Sequence, residues 1–246
     1  MRNPEGRAQR RASGERKPRE ERWAQLVEVA TQVFFEKGYD AASLQDIADR
    51  LGMLKGSLYY YIHSKEELLY ELINEVHKAG LANIKTLAAQ PGDAVERLHK
   101  VIVGHVEHAC RNLASTAVFL RELQALPREK QDAIIQDDVT YRGVFRELLV
   151  EGMADGSVRA DVDPKLAALS ILGSLNWVYR WFEPGGDVTP TEIGEQFADL
   201  IVRSVASHSA LARWEERVAA TTGVGPVTKK SGSRSRATRT SRAKTA

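Results

Sequence analysis

A chain of 246 residues, 43% of them apolar, has material for one large packed domain or two small ones, which excludes a wholly disordered protein. Its single cysteine, Cys110, excludes an internal disulfide and fits a reducing cytosol, and no stretch approaches the ~20 uninterrupted apolar residues of a membrane span. The net charge of +2 hides an asymmetry: residues 1–22 carry 8 Lys/Arg against 4 Asp/Glu, residues 223–246 carry 7 and none, and 20 basic and 29 acidic residues lie between. A body of net charge −9 repels polyanions, while each flanking arm either solubilises the chain or is drawn to phosphate backbones. Residues 1–22 lack an apolar core for a signal peptide, so a soluble cytoplasmic protein is expected.

Residues 1–18 are rich in Arg, Glu, Gly and Pro and are expected to be disordered. From Trp23 the period becomes helical, with Leu26, Val27, Ala30, Val33 and Phe34 on one face and Gly38 as its left-handed stop. Ser43 is a good N-cap with Asp46 three residues on, and the short helix that follows turns Leu44, Ile47, Ala48 and Leu51 inward. Gly52 allows a sharp turn into a helix expected from Leu54 to Ile62, with Leu58 and Ile62 in the core. Ser64 and Glu67 form a second capping box before a long helix from Lys65 to about Ala88. Beyond Pro91-Gly92 the pattern predicts helices over 93–112, 114–126, 127–154, 164–182 and 189–214, and from Thr221 the Ser, Thr, Gly, Lys and Arg content reads as a tail. Nothing alternates with period two. An all-α fold of about nine helices is predicted.

Two short helices around a glycine also occur in ordinary bundles, so exposed chemistry has to distinguish this pair. Lys55 and Lys65 can neutralise phosphates, and Gly56 lets the backbone approach an anion at a helix N-terminus. Ser57, Tyr59, Tyr60 and Tyr61 offer hydroxyls and flat faces for bases and sugars. Three consecutive tyrosines span most of a helical circumference, so at least one must face solvent or a partner.

Phe34-Phe35-Glu36-Lys37-Gly38-Tyr39, Ser43-Leu44-Gln45-Asp46-Ile47-Ala48, the run from Gly52 to Ile62, and Ser64-Lys65-Glu66-Glu67-Leu68-Leu69 together resemble the N-terminal domain of TetR-family repressors over residues 19–79. The resemblance implies a homodimer that binds a palindromic operator and releases it when a small molecule fills the C-terminal domain. By motif position, Ser43 and Gln45 resemble DNA-backbone contacts; Lys55, Gly56, Ser57 and Tyr59 resemble base or groove contacts; Tyr60, Tyr61 and Lys65 resemble phosphate contacts. Ile62 departs from the commoner Phe at a core position, and Leu54 is more apolar than usual at the start of the reading helix. The implied organisation is an arm at 1–18, a helix-turn-helix domain at 19–79, a ligand-binding and dimerisation domain at 80–214 and a disordered basic tail at 215–246.

The stretch from Leu172 to Gly186 resembles the penultimate helix of TetR-type regulators of fatty-acid, steroid-ring and related acyl-CoA degradation, which implies an acyl-CoA effector. Asn176 and Arg180 share a helical face with Leu169 and Gly173, and an Arg on an apolar helix wants an anion: a CoA phosphate, or Glu122 or Glu183 in a salt bridge. Trp177 and Trp181 suit core or dimer packing as well as a ligand wall. Arg121, Tyr141 and Phe145, with Glu122 and Arg142, sit on the middle helices where such domains house a pocket, so the candidate ligand set is Arg121, Tyr141, Phe145, Asn176, Trp177 and Arg180. His105 and His108 are three apart near Cys110, but no spaced acid or His completes a metal site, so no metal or cofactor is expected. The helix over 164–182, apolar nearly all round, could pair with the last helix in a four-helix dimer interface.

No Gly-rich phosphate loop, Gly-x-Ser-x-Gly elbow or nucleophile–base pair is present, so an enzyme is not expected. The expected function is that of a DNA-binding repressor with DNA, a small-molecule effector and a second copy as partners. The alternatives are an activator of the same fold and a helical adaptor without sequence-specific DNA binding.

Overall fold

The computed structural model describes residues 19–222, so both expected arms, 1–18 and 223–246, lie outside the described residues. Ten α-helices are found there: α1 (Arg19–Lys37), α2 (Leu44–Leu51), α3 (Lys55–Leu58), α4 (Lys65–Ala88), α5 (Ala94–Arg111), α6 (Leu113–Glu122), α7 (Arg128–Ala154), α8 (Pro164–Asn176), α9 (Pro190–Val205) and α10 (His208–Thr222). Tight three-residue-per-turn winding follows α6 at Leu123–Ala125 and α8 at Trp177–Arg180.

The first helix buries Leu26, Ala30, Val33 and Phe34 and stops at Gly38, whose φ of 78° suits a residue without Cβ. Its last turn is tied to α2 by Arg50 on Glu36 (2.7 Å) and Lys37 on Asp46 (2.6 Å). Asp46 also completes the capping box, receiving the Ser43 amide at 2.8 Å while its own amide reaches the Ser43 hydroxyl. The second expected box is only half made. Ser64 accepts from the Glu67 amide, but the Glu67 carboxylate takes the His63 amide at 2.6 Å and stands 3.0 Å from His63 Nδ1.

Three expected helices are cut differently in the fold. The α winding expected from Leu54 to Ile62 is limited to Lys55–Leu58, and Tyr59–Tyr61 form turns whose i→i+3 bonds bring both Leu58 and Ile62 into full burial. The helix expected over 164–182 tightens at Trp177, so Asn176 and Arg180 no longer share an α-helical face, and Arg180 lies over the Trp177 ring at 5.9 Å. The single helix expected over 189–214 is broken at Ala206, which is extended and forms an antiparallel bridge with Val158. Arg159 N–H to Val205 O (2.9 Å) and Ser207 N–H to Ser157 O (2.8 Å) pin that break to the turn after α7.

The last helix also passes the expected boundary at Trp214. Ala210 and Trp214 are buried, Val218 packs on the same core, and Trp214 Nε1 donates to Asp199 (2.9 Å). Arg213 (3.6 Å) and Arg217 pair with Asp93 and Glu96 at the start of α5, so residues 215–222 are helix rather than tail.

Two apolar cores result. One joins α1–α4 and takes in Val118 of α6, Leu126 before α7 and Ile134 of α7; the other fills the space among α4, α5, α7, α8, α9 and α10. Helix α4 serves both, so the expected division at 79/80 falls inside one continuous helix. In the second core α9 presses on α5 so closely that a Cβ at Gly194 would lie 3.0 Å from Val103 Cα. No helix of the described residues is long and apolar enough to cross a membrane.

Candidate DNA-reading head and effector cavity

At one end of the described residues, α2, α3 and the tyrosine turn project side chains that no other described residue covers. Leu58 is the buried anchor of α3, which leaves Lys55, Gly56 and Ser57 exposed, with Leu54 80% and Tyr60 73% exposed. Tyr59 is exposed as well, whereas Tyr61 is half-buried edge-on to Tyr60 at 5.3 Å. Ser43 and Gln45 are exposed at the start of α2; Ser43 is occupied as its cap and Gln45 donates to Asp49 (2.7 Å). The Lys37 and Ser43 hydrogen bonds hold the Asp46 carboxyl well below the usual carboxylate range.

Lys65 is placed differently from the implied phosphate contact. Its ammonium donates to Tyr39 O (2.8 Å) and Ala42 O (2.9 Å) and lies 4.2 Å from the Tyr39 ring centroid. It clamps the connector between α1 and α2, a role in which a single cation satisfies two connector carbonyls and faces the Tyr39 ring. Eight of the nine residues expected at DNA therefore lie around the projecting surface, and Lys65 stands behind it.

Adjoining the head's core is a cavity of about 230 Å³ walled by α4, α5, α6, α7 and α8. Val76, Phe119, Leu120, Leu169 and Leu172 give it an apolar lining, and His77, His105, His108, Tyr141, Arg142 and Asn176 give it polar points. His105 and Tyr141 meet across it, with Nδ1 2.7 Å from the hydroxyl. Burial holds the His105 ring down to about 4, with His108 adding to the effect and Asn176 opposing it. Burial likewise lowers His108, whose Nε2 approaches Val76 O at 3.3 Å. Burial pushes the Cys110 thiol up to about 11. Among the described residues no group of three or more His, Cys, Asp or Glu is placed to hold a metal ion.

Of the six residues expected to meet a ligand, Tyr141 and Asn176 line this cavity. Phe145 is fully buried behind Tyr141, stacked on it at 6.2 Å. Trp177 and Arg180 are exposed on the outer face after α8. Arg121 points away from the cavity, donating to Phe35 O (3.0 Å) and lying over the Phe35 ring of α1. Sequence reasoning did not place His77, His105 or His108 at a ligand, because which faces of the consecutive helices α4 and α5 turn to a common cavity is set by packing against α6, α7 and α8; the isolated histidines on an amphipathic helix were the available signal.

The head and cavity share a wall. Helix α6 lines the cavity through Thr116, Phe119 and Leu120, buries Val118 in the head's core, and holds α1 through Arg121. His77 of α4 touches Phe119 at 5.2 Å, and Lys130 pairs with Glu66 at 2.8 Å between α7 and the start of α4.

A projecting helix-turn-helix on an all-α body with a half-open cavity defines the class of helix-turn-helix DNA-binding regulators. Residues 26–72 match the family model of bacterial regulatory proteins, tetR family, and residues 91–205 match the tetracyclin repressor-like C-terminal domain. The chain is similar to PfmR of Thermus thermophilus, a TetR family transcriptional regulator, at 32% identity over 72% of this chain and 97% of that one, with a TM-score of 0.68. It is 28% identical to the repressor KstR2 of Mycobacterium tuberculosis over 75% of this chain and 92% of the relative. The structure of AibR in complex with isovaleryl coenzyme A and operator DNA aligns at 28% identity, covering 74% and 96%, with a TM-score of 0.65. The chain belongs to the TetR family of bacterial transcriptional regulators.

Proposed function

We propose that this regulator is a repressor that binds a palindromic operator as a homodimer in the cytoplasm and is released from it by a small-molecule effector of the acyl-CoA class. The observation that carries the reading is the shared wall: α6 borders the cavity and grips α1, so a ligand that reshapes the cavity changes what positions the head. A ligand can shift such an equilibrium only by binding one arrangement better than the other, and a wall shared with the head would let it do so. Lys55, Gly56, Ser57 and Tyr59 would meet bases or the groove, with Ser43, Gln45, Tyr60 and Tyr61 on the backbone. The homodimer is supported by apolar side chains that no described residue covers: Leu166, Leu169, Trp177 (60% exposed) and Trp181 along and beyond α8, and Leu200 (65% exposed) on α9. The acyl-CoA class is supported by the isovaleryl coenzyme A bound in the AibR complex.

Fluorescence anisotropy with DNA from upstream of the protein's own gene tests the reading. Wild-type protein is expected to retain that DNA against unrelated duplex, and a CoA thioester to release it. Equal affinity for unrelated DNA, or binding undiminished in both Lys55→Ala and Tyr59→Ala, would assign retention to the basic arms and remove the sequence-reading role.

A further inference from the structure

The first turn of α3 departs from local helix chemistry at two positions, and the fold gains nothing from either. Leu54 is the N-cap of α3 and has no side-chain oxygen with which to cap it. Five other helices use Ser43, Ser64, Asp93, Asp163 and Thr189 at that position, each accepting a backbone amide. Leu54 is not kept for packing instead, since it is 80% exposed and the preceding Met53 is the residue that packs on the head's core. Gly56, two residues on, has no positive φ, and a Cβ there would meet nothing within 4 Å. A glycine in a helix is less stable than alanine, and neither backbone conformation nor crowding calls for one here. Local rules broken twice in one turn, with no gain among the described residues, mark a surface shaped for a partner.

A lone exposed leucine on an ordinary surface needs no explanation; its place is what matters here. Helix α3 is the second helix of the helix-turn-helix, and such a helix meets base edges with its N-terminal residues. The neighbouring Lys55, Ser57 and Tyr59 carry donors or acceptors for those edges, and Leu54 carries none. In the major groove the apolar feature that an aliphatic side chain can read is the C5 methyl of thymine. Packing that methyl on Leu54 takes both groups out of water. Cytosine in its place offers no methyl and sets an amine against a side chain that cannot accept from it. The space left open at Gly56 lets a base edge come close to the same turn.

We propose, building on the operator reading above, that Leu54 is a specificity-determining residue that reads the C5 methyl of a thymine in the major groove. Thymine is thereby selected at one fixed place in each half-site by packing rather than by a hydrogen bond.

The test uses the full chain and a pool of random duplexes from which wild type, Leu54→Ala and Leu54→Ser each select sequences. Each thymine of the wild-type duplex is then replaced singly by deoxyuridine, which removes the methyl and nothing else, and affinity is read by fluorescence anisotropy. At one thymine of each half-site the replacement is expected to weaken wild type about fourfold, as for burial of one methyl group. Leu54→Ala is expected to bind the thymine and deoxyuridine duplexes alike, and to select no thymine at that place. Leu54→Ser should behave in the same way with a melting temperature no lower than that of wild type, because its hydroxyl can cap α3. Deoxyuridine that weakens all three proteins equally overturns the inference, as does a wild-type duplex in which no thymine methyl matters; both results leave the operator reading standing. A melting temperature lowered in both variants makes Leu54 a packing residue and overturns it too. A wild-type pool with no enriched sequence removes the operator reading, and the inference with it.

Discussion

Lys55 and Lys65 both looked like phosphate contacts in the sequence, and the fold separates them. Lys55 is exposed on α3, while Lys65 is spent on the Tyr39 and Ala42 carbonyls. Lys55→Ala is therefore expected to lower the slope of log affinity against log salt by about 1 per protomer while leaving the melting temperature unchanged. Lys65→Met is expected to do the reverse, costing about 1–3 kcal/mol of stability in denaturant titrations through two unsatisfied carbonyls, with little change in salt slope for the fraction that remains folded. A salt slope lowered equally by both would return Lys65 to the DNA surface. His105 carries a second residue-scale expectation. The folded ring takes a proton only near pH 4, whereas a solvated imidazole does so near 6.5, so between the two the unfolded chain holds the extra proton. Stability is then full above about pH 6.5 and falls as the pH drops toward 4, by on the order of 3 kcal/mol for this one group. Thermal melts from neutral to about pH 5 should show His105→Phe losing less than wild type. The Ser43–Asp46 box was legible because its spacing is local. The Lys65 clamp and the His105–Tyr141 pair were not, since each joins residues more than twenty positions apart and carries no periodic signal.

Among the elements, α6 decides whether cavity and head communicate. Its 10 residues face the cavity with Phe119 and Leu120, the head's core with Val118 and α1 with Arg121. Arg121→Ala removes a charged donor from the Phe35 carbonyl and a cation from the Phe35 ring without touching the cavity lining. Ligand affinity in the absence of DNA is expected to stay within about twofold of wild type, while the shift in operator affinity on ligand addition falls by about 0.5–2 kcal/mol, on the order found for residues along coupling routes. Parallel titrations with and without operator separate the two quantities, and an unchanged coupling would remove Arg121 from the route. Helix existence was legible from α1 to α9, because amphipathic spacing needs no tertiary information; α10 was merged with α9 in the sequence pattern, and its residues 215–222 read as tail. Helix ends were less so. Trp177 and Ala206 carry no Pro, Gly or cap to announce a change of winding; Ala206 breaks the run because Ser157 and Arg159 reach it from across the fold.

For the whole molecule, Leu166, Leu169, Trp177, Trp181 and Leu200 are five large apolar side chains left exposed among the described residues, and the proposed second copy would cover them. Leu200→Glu places a charge among these exposed apolar side chains and is expected to yield a species of 27.3 kDa by light scattering, with operator affinity falling steeply as the two heads of the proposed dimer lose their shared spacing. A wild-type chain that already runs at that mass would discard the dimer. The two cores are not separable units either, since α4 supplies Leu68, Leu69, Leu72 and Ile73 to one and Leu81 and Ile84 to the other. This bears on exchange of parts between regulators. A chimera joined at residue 79 or 80 inherits half of each parent's α4 and an α6 fitted to neither, so the graft that keeps a foreign specificity must carry α1 through α4 and the facing side of α6 as one inseparable cassette.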